Sequence, residues 1–509
     1  MGRESERRLA GIGGGAWRLV LAGWMAACVA VFVGTSWRWP LVGDATYLHY
    51  VVLLMRSGML PYADIADMNL PGAYLLEGWV MRVMGGGSLG WRMWDLLLLA
   101  VASGAMAYLL RVKGWVAGVF AAGLFALLHG QDGVIMAGER DFIVAVLLVA
   151  AVALLVRGVR AENSAWWCWL GFGVVAGWAV TVKPTVGLIL VVGIGWTVRV
   201  LRRRGAAWKR AAGLVAAGLM MPVVVQGVWL WRWGVVAAFG EALTGIVRYH
   251  AGLGHRPMAY LLAHSVSPVA VLVGVWVVCA AVLRRGWGGP ERGLLLLCAG
   301  CGWVSYAAQG KGFSYQRYPF LVFLLVVMVW DFFDAADARG AWVRWIGVTG
   351  IVAGAAFAGR FAQKAAGFDQ REPVRPLVAD LHALGGKDLR VQCMDTAGAC
   401  VDAMYADRRV QATGFVYDCY LLDGRSAVVA GLRRRFWEQV ERHPPGVFVV
   451  TDSVCYDGAR SFGKYAGWPE FSGYLAKEYA LREERQPTEM QRYWSRATLP
   501  FAYRIYVRR

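Results

Sequence analysis

GDATYLHYVVLLMRSGMLPYADIADMNLPGAYLLEGWVMRVM, residues 43–84, follows the first long apolar segment of the chain. The stretch is too polar to span a bilayer and too patterned to be a plain linker. Asp44 comes where the chain leaves that segment and its Trp37/Trp39 belt. Ala45 to Arg56 carries Tyr47, Tyr50 and Leu54 at helical spacing and ends at Ser57-Gly58, which predicts a helix. Pro61, Asp64, Asp67, Asn69 and Pro71-Gly72 form a turn-rich middle. Tyr74 to Met84 reads as a second amphipathic helix with Glu77 and Arg82 on its polar side. Carboxylates are thus expected near a membrane surface between two interfacial helices.

The flanking sequence sets that membrane context. The 509 residues are 58% hydrophobic and 17% charged, with a mean hydropathy of +0.46, which excludes an ordinary soluble globule. Apolar runs recur at lengths that match a hydrocarbon core about 30 Å thick. Tryptophans gather near their ends (Trp17, Trp37, Trp39, Trp91, Trp94, Trp166, Trp167, Trp229, Trp231), as interfacial belts do. About eleven spans are expected, near 17–37, 91–110, 114–130, 141–156, 166–182, 185–198, 211–231, 265–283, 293–309, 318–336 and 343–359. The fold class is a polytopic α-helical membrane protein (residues 1–359, with a first outer loop at 43–90) followed by a small extracytoplasmic α/β domain (360–509). The first apolar stretch has no small-residue cleavage site, so it reads as an uncleaved span.

The net charge of +19 does not indicate nucleic acid, because much of it sits in short loops between spans and no nucleic-acid motif accompanies it. The Arg3/Arg7/Arg8, Arg157/Arg160, Arg199–Arg210 and Arg284/Arg285/Arg292 clusters are cytoplasmic by the positive-inside rule. Starting inside, the spans then put Asp44, Glu139–Asp141, Lys183, 232–264, Gln309–Pro319 and the tail outside. Reading Lys183-Pro184 as one long kinked span would put the later basic loops outside, so it is rejected. In the tail, Leu389–Met394 and Val447–Asp452 have strand character, while Pro376–Leu384 and Gly431–Arg442 look helical. Gly385-Gly386, Pro444-Pro445-Gly446 and Gly458 read as turns. Tyr465, Trp468, Tyr474, Tyr493 and Trp494 suit either a sugar- or lipid-facing surface or a core. Cys393, Cys400, Cys419 and Cys455 allow three pairings, or none. Cys28, Cys168, Cys279, Cys298 and Cys301 lie in apolar runs as packing residues.

The chemistry-bearing residues converge on the outer face. Asp44 is a candidate base, with helix capping as the plainer alternative. Gly138-Glu139-Arg140-Asp141 puts further carboxylates at a span entrance. Arg248, His250, His255 and Arg256 occupy another outer loop, and QGKGFSYQRYP (309–319) supplies Lys311, Tyr315 and Arg317. Such a set can deprotonate a hydroxyl while holding a phosphate leaving group. Lys183, ending an apolar span as Thr-Val-Lys-Pro, is a costly charge that either has a partner or snorkels.

The order of these features resembles the GT-C superfamily of integral-membrane glycosyltransferases, in particular the family-39-like branch with protein O-mannosyltransferases and the aminoarabinose transferases of lipid A. The shared features start with one span followed by Asp44. The Pro61-Tyr62-Ala63-Asp64 and Asp67-Met68-Asn69-Leu70-Pro71-Gly72 segment comes next, and then Glu139-Arg140-Asp141. A Gly173, Gly177, Lys183-Pro184 span and the 309–319 loop complete the set. The resemblance covers residues 17–340. It implies inverting transfer from a polyprenyl-phosphate-linked sugar to an acceptor (protein, lipid or polysaccharide) at the outer face of a bacterial plasma membrane. It implies Asp44 as base, Asp141 or Glu139 as second carboxylate, and a divalent metal (Mg, Mn or Zn) on Asp44 and Asp141. It also implies donor contacts from Lys183, Lys311, Arg317, Tyr315, Asp67, Asn69, Arg140, His250 and His255. Two departures stand out. Ala45 replaces the Glu of an Asp-Glu pair common in relatives, and Asn69 stands where the aminoarabinose transferases have a basic residue. The competing reading is a non-enzymatic transporter or scaffold of an envelope polysaccharide or lipid pathway. A transporter would carry its charges midway through broken spans within repeated halves, a pattern absent from this sequence.

Overall fold

A computed structural model describes residues 2–161, 166–283, 289–368, 374–396, 399–456, 460–487 and 502–509, with backbone alone before residue 16. Its first helices are α1 (Gly2–Ser36), α2 (Asp44–Arg56), α3 (Pro71–Val83), α4 (Ser88–Leu110), α5 (Trp115–Asp132), α6 (Arg140–Ala161) and α7 (Trp166–Val182). Next come α8 (Gly187–Arg203), α9 (Trp208–Arg232), α10 (Val236–Ala242), a π-helical turn, α11 (Arg248–Ala251), α12 (Met258–Val266) and α13 (Ala270–Val282). Then follow α14 (Pro290–Gln309), α15 (Tyr318–Ala336), α16 (Ala341–Ala366) and α17 (Arg375–Leu384). The remainder is β1 (Val391–Met394), α18 (Ala399–Ala406), α19 (Cys419–Leu422), α20 (Ala427–Arg442), β2 (Val447–Thr451), α21 (Pro469–Glu478), β3 (Tyr479–Arg485) and β4 (Tyr503–Arg508).

Each of the eleven expected spans is helical. Among the described residues, eight helical segments are long and apolar enough to cross a membrane. The other three of the eleven are α5, α14 and the 17-residue apolar α7. The chain forms two compact units: residues 1–38, 93–222 and 256–368, and residues 39–92, 223–255 and 369–509. Helix α16 continues past residue 359 to Ala366.

In the first unit, α15 and α6 are central, with 83% and 78% of their apolar windows buried, against 28% for α8, α9 and α16. Close approach relies on glycine. A Cβ on Gly173 would lie 2.9 Å from the Cα of Gly218, and one on Gly177 would lie 3.1 Å from the Pro222 ring. The Gly173/Gly177 spacing is therefore a flat packing face for α9, as small residues four apart provide between apolar helices.

Ion pairs sort the helix ends. Arg18 meets Asp337 at 2.7 Å, Lys113 meets Asp334, and Arg160 meets Glu291. The Arg292 guanidinium donates to both oxygens of Asp331 at 2.8 and 2.6 Å, and the Trp276 indole donates at 2.9 Å. At the opposite ends of the same helices, Arg317 meets Asp132 and Lys183 meets Asp141. These groupings match the predicted alternation of loops. Arg284 and Arg285 lie outside the described residues, as do Gly458, Tyr493 and Trp494.

In the second unit, Gly43 takes the N-cap position of α2 with φ 69° and Asp44 is the first helical residue, where a carboxylate favours the helix dipole. Asp44 is therefore not the N-cap. Glu77 does not lie on a polar face of α3. It is 1% exposed and pairs with buried His49 of α2 at 2.5 Å, a partner that the local pattern cannot reveal. The sheet order is β1-β2-β4-β3, with β1 and β2 parallel and the other pairings antiparallel. Tyr465 and Trp468 are core residues, 4% and 1% exposed, packed on Phe471. Tyr474 is half-buried. Disulfides join Cys393 to Cys400 and Cys419 to Cys455, and the other five cysteines are free and buried.

Asp331→Ala leaves a buried guanidinium without its carboxylate. It is expected to lower stability by about 3–5 kcal/mol, and adding Arg292→Met should recover most of that loss. Thermal unfolding in detergent measures both; equal melting of Asp331→Ala and wild type would remove the pair from any structural role.

Candidate functional site

The first unit gathers cations around a carboxylate. Gly138, with φ 62°, turns the chain into α6, so that Glu139 accepts the Asp141 amide at 2.6 Å. Asp141 is 0% exposed. One of its oxygens takes the Lys183 ammonium, and the other has no hydrogen-bond partner. Lys183 caps a 3-10 turn that begins at Pro184, and that break separates α7 from α8. Lys311 lies between Gly310 and Gly312, at φ 67° and 69°; these left-handed turns hold the loop close to α12, where a Cβ on Gly312 would sit 2.7 Å from Tyr260. Burial, and then the positive charges of Lys183 and Arg140, push the Lys311 ammonium down to about 7. Arg140, Lys183 and Lys311 therefore share one electrostatic neighbourhood.

Arg317 is not displayed in the same way. Its guanidinium is 4% exposed and donates to Asp132 at 3.2 Å, the His264 carbonyl at 3.1 Å and Ser267 at 3.0 Å. It clamps α5, α12 and α15 together. Tyr315 is half-buried against Phe313. Residue-by-residue reading missed a buried chain behind this loop: Tyr318 hydroxyl to His129 Nδ1 at 3.0 Å, and His129 Nε2 to Asp95 at 3.0 Å. Asp95 also accepts the Gly138 amide at 2.7 Å, so it anchors the loop that carries Asp141. The available signal was a lone Asp and a lone His within apolar helices, residues that membranes admit only with partners.

The second unit contains Asp44, Asp67, Asn69, His250 and His255. Asp67 and Asn69 brace a turn. The Asp67 carboxylate accepts from the Tyr74 hydroxyl, from the Asn69 side chain at 2.9 Å and from the Met68 amide at 2.6 Å. The Tyr62 hydroxyl donates to the Asn69 carbonyl at 2.8 Å. His255 is exposed. Around half-buried Asp44 lie side chains distant in sequence. Asp402 of α18 accepts the Gly43 amide at 3.5 Å, and burial, with Asp395 and Asp44 adding to it, pushes its carboxyl well above the usual range. Tyr417 and Tyr456 also feel the Asp44 charge, and the Tyr420 hydroxyl lies 3.1 Å from His250 Nδ1.

The donor set does not fit a resident divalent metal. Asp141 is already engaged by Lys183. Among the described residues no three His, Cys, Asp or Glu side chains group as metal ligands.

No protein-family model and no curated protein matches the chain. Solved structures do resemble it. ArnT from Cupriavidus metallidurans, bound to undecaprenyl phosphate, aligns with a TM-score of 0.60 over 96% of this chain and 98% of that one, at 11% identity. The Archaeoglobus fulgidus oligosaccharyltransferase in the apo form aligns with a TM-score of 0.53 over 94% and 81%, at 10% identity. The fold expected from the GT-C resemblance is thus the fold observed.

An anion placed on the cation cluster restores the Lys311 proton, so binding takes up a proton. Affinity for a soluble prenyl phosphate is therefore expected to fall as pH rises above about 7, by up to about tenfold per unit until the pKa of the complex is reached. Lys311→Arg should flatten the profile. Calorimetric titration between pH 6 and 9 measures it, and a flat wild-type profile would contradict the cluster's role.

Proposed function

We propose that the chain is an inverting glycosyltransferase that moves a hexosyl or pentosyl group from a polyprenyl-phosphate-linked donor to an acceptor hydroxyl. The observation that carries this reading is the meeting of Arg140, Lys183 and Lys311 beside buried Asp141. Burial and the neighbouring charges of Lys183 and Arg140 disfavour the charged form of Lys311, and a bound phosphate would favour it. The fold agrees, since a structure with the same fold holds undecaprenyl phosphate.

In this mechanism the acceptor oxygen attacks the anomeric carbon as the bond from that carbon to the phosphate oxygen breaks. Asp44 takes the acceptor proton. The charge left on the polyprenyl phosphate is neutralised by Lys183 and Lys311, with Arg140 beside them. Asp141 and Glu139 orient that cation set, Asp141 through its contact with Lys183. Tyr315 borders the loop that presents Lys311. Arg317, Asp67 and Asn69 also support their loops. His250 faces the surroundings of Asp44, and no role is assigned to His255.

The reaction is placed on the outer face of a bacterial plasma membrane, with the N-terminus cytoplasmic and the C-terminal region extracytoplasmic. The basic loops support that orientation, as do two disulfides in the tail, which persist in oxidising compartments.

Protein in nanodiscs, supplied with a panel of polyprenyl-phosphate sugars and hydroxyl acceptors, is expected to release polyprenyl phosphate with one donor. Asp44→Asn should reduce turnover by about 10²-fold or more, the usual scale for a general base, with donor binding intact. Lys183→Ala should weaken donor binding instead. Failure of every donor to bind would return the chain to the transporter or scaffold reading.

A further inference from the structure

In the second unit a cleft of about 250 Å³ opens between the 62–67 turn, the segment from α10 through the π-helical turn, and the first half of α20. Ala238, Glu241, Ala242, Gly245 and Ile246 form one wall, at the three- and four-residue spacing of a single helical face. The α20 wall includes Gly431, Arg434 and Arg435.

The other face of the α10 segment is apolar and open, with Val236 55% and Leu243 39% exposed. The second half of α9 leads into it and exposes Val224, Val225, Val228 and Trp231, in a helix long and apolar enough to cross a membrane. Trp229, Trp231 and Trp233 mark its end, as tryptophans do at a bilayer interface. The α10 segment therefore lies at the bilayer surface, with its apolar face toward lipid and the cleft on its other side.

Two glycines keep the cleft open. Neither Gly245 nor Gly431 has a positive φ, and nothing lies within 4 Å of a Cβ built on either. Neither backbone nor packing calls for glycine at these positions, and a helix disfavours it relative to alanine. Their effect in the folded chain is the empty space itself.

The rim carries both signs of charge. Glu241 and Arg434 are exposed, and among the described residues neither side chain has a hydrogen bond or an ion pair. Arg435 is fixed in place by donating to the Tyr62 and Ala63 carbonyls at 2.9 and 2.5 Å. Burial pushes its guanidinium below the usual value, while the carboxylates of Asp64, Glu241 and Glu438 oppose that shift. Glu241 thus acts from the facing wall on a guanidinium that it does not bond.

A ligand that matches this rim carries one cation and one anion. A polyprenyl phosphate has no cation and would set its charge against Glu241. A quaternary ammonium calls for several aromatic faces, and Tyr62 is the one aromatic side chain among the described residues of the lining. A primary ammonium suits a carboxylate, and a phosphodiester suits a pair of guanidiniums.

We propose that this cleft binds the head of a phospholipid that carries a primary amine, with its phosphodiester at Arg434 and Arg435 and its ammonium at Glu241. Gly245 and Gly431 leave room for the glycerol, and the acyl chains return to the bilayer beside α10. The lipid is neither donor nor acceptor, so the inference goes beyond the glycosyl-transfer reading and does not depend on it. Its role is to tie α20 to the bilayer surface.

Full-length protein in detergent is titrated with short-chain phospholipids bearing ethanolamine, choline or glycerol heads, and with bare polyprenyl phosphate. Native mass spectrometry reads bound lipid, and thermal unfolding checks the fold. Glu241→Gln keeps the shape of the side chain and removes its charge. Gly431→Leu fills the cleft where an added Cβ meets no atom within 4 Å, and it favours the helix, so the variant is expected to fold.

Wild type should bind one ethanolamine lipid about tenfold more tightly than the choline or glycerol lipids. Glu241→Gln should erase that preference, and Gly431→Leu should lower ethanolamine-lipid affinity about tenfold. Binding of polyprenyl phosphate should be unchanged in both. Equal affinity of wild type for the three heads overturns the proposal, as does a preference that survives Glu241→Gln. A parallel loss of polyprenyl phosphate binding in these variants overturns it too, because the cleft would then belong to the donor. If Gly431→Leu melts early, the head-group preference of Glu241→Gln decides alone.

Discussion

Charge inside an apolar helical unit must be paired, and in the first unit the pairing decides which helix ends meet. Helix α15 shows the constraint most fully. Asp331, Asp334 and Asp337 at its C-terminal end pair with Arg292, Lys113 and Arg18. At its N-terminal end Arg317 reaches Asp132, and the Tyr318 hydroxyl meets His129. A helix tied at both ends in this way cannot rotate or slide without stranding a charge, and stranding one costs several kcal/mol. The loops that follow Asp132 and Gln309 inherit that rigidity, so Asp141 and Lys311 are held by geometry built for solvation reasons.

Much of this architecture is legible in the chain because periodicity is local. Apolar runs identified the spans, the α2 and α3 segments showed their helical spacing, and β1 and β2 stood out as short apolar stretches between turns. Strands β3 and β4 did not. Tyr479–Arg485 reads YALREER and lies mostly exposed at the sheet edge, so its apolar content says nothing of a strand. Pairing at long range was equally hidden. Asp402 reaches the amide beside Asp44 across 359 residues, and no spacing rule spans that distance. Glu77 looked solvated because its partner His49 is invisible to a helical wheel of α3 alone.

In the first unit Arg140, Lys183 and Lys311 share one cationic neighbourhood, and in the second Asp44 has tyrosines and Asp402 near it. In the proposed reaction the first group takes the leaving phosphate and Asp44 the acceptor proton. Arg317, Asp67, Asn69 and Asp95 brace loops and helix ends through buried hydrogen bonds. Their expense in buried hydrogen bonds is the ordinary cost of fixing a reactive geometry.

The Arg292–Asp331 pair has a bearing on how the chain is made. Its partners lie on consecutive helices, α14 and α15, near the ends of that hairpin remote from the 309–319 loop. A lone arginine or aspartate entering hydrocarbon is penalised, by about 2.5–3.5 kcal/mol at a helix centre on insertion scales. The two helices therefore have reason to leave the insertion machinery together, with the salt bridge already closed. A pair closed while α14 and α15 are still together would spare both charges part of that cost.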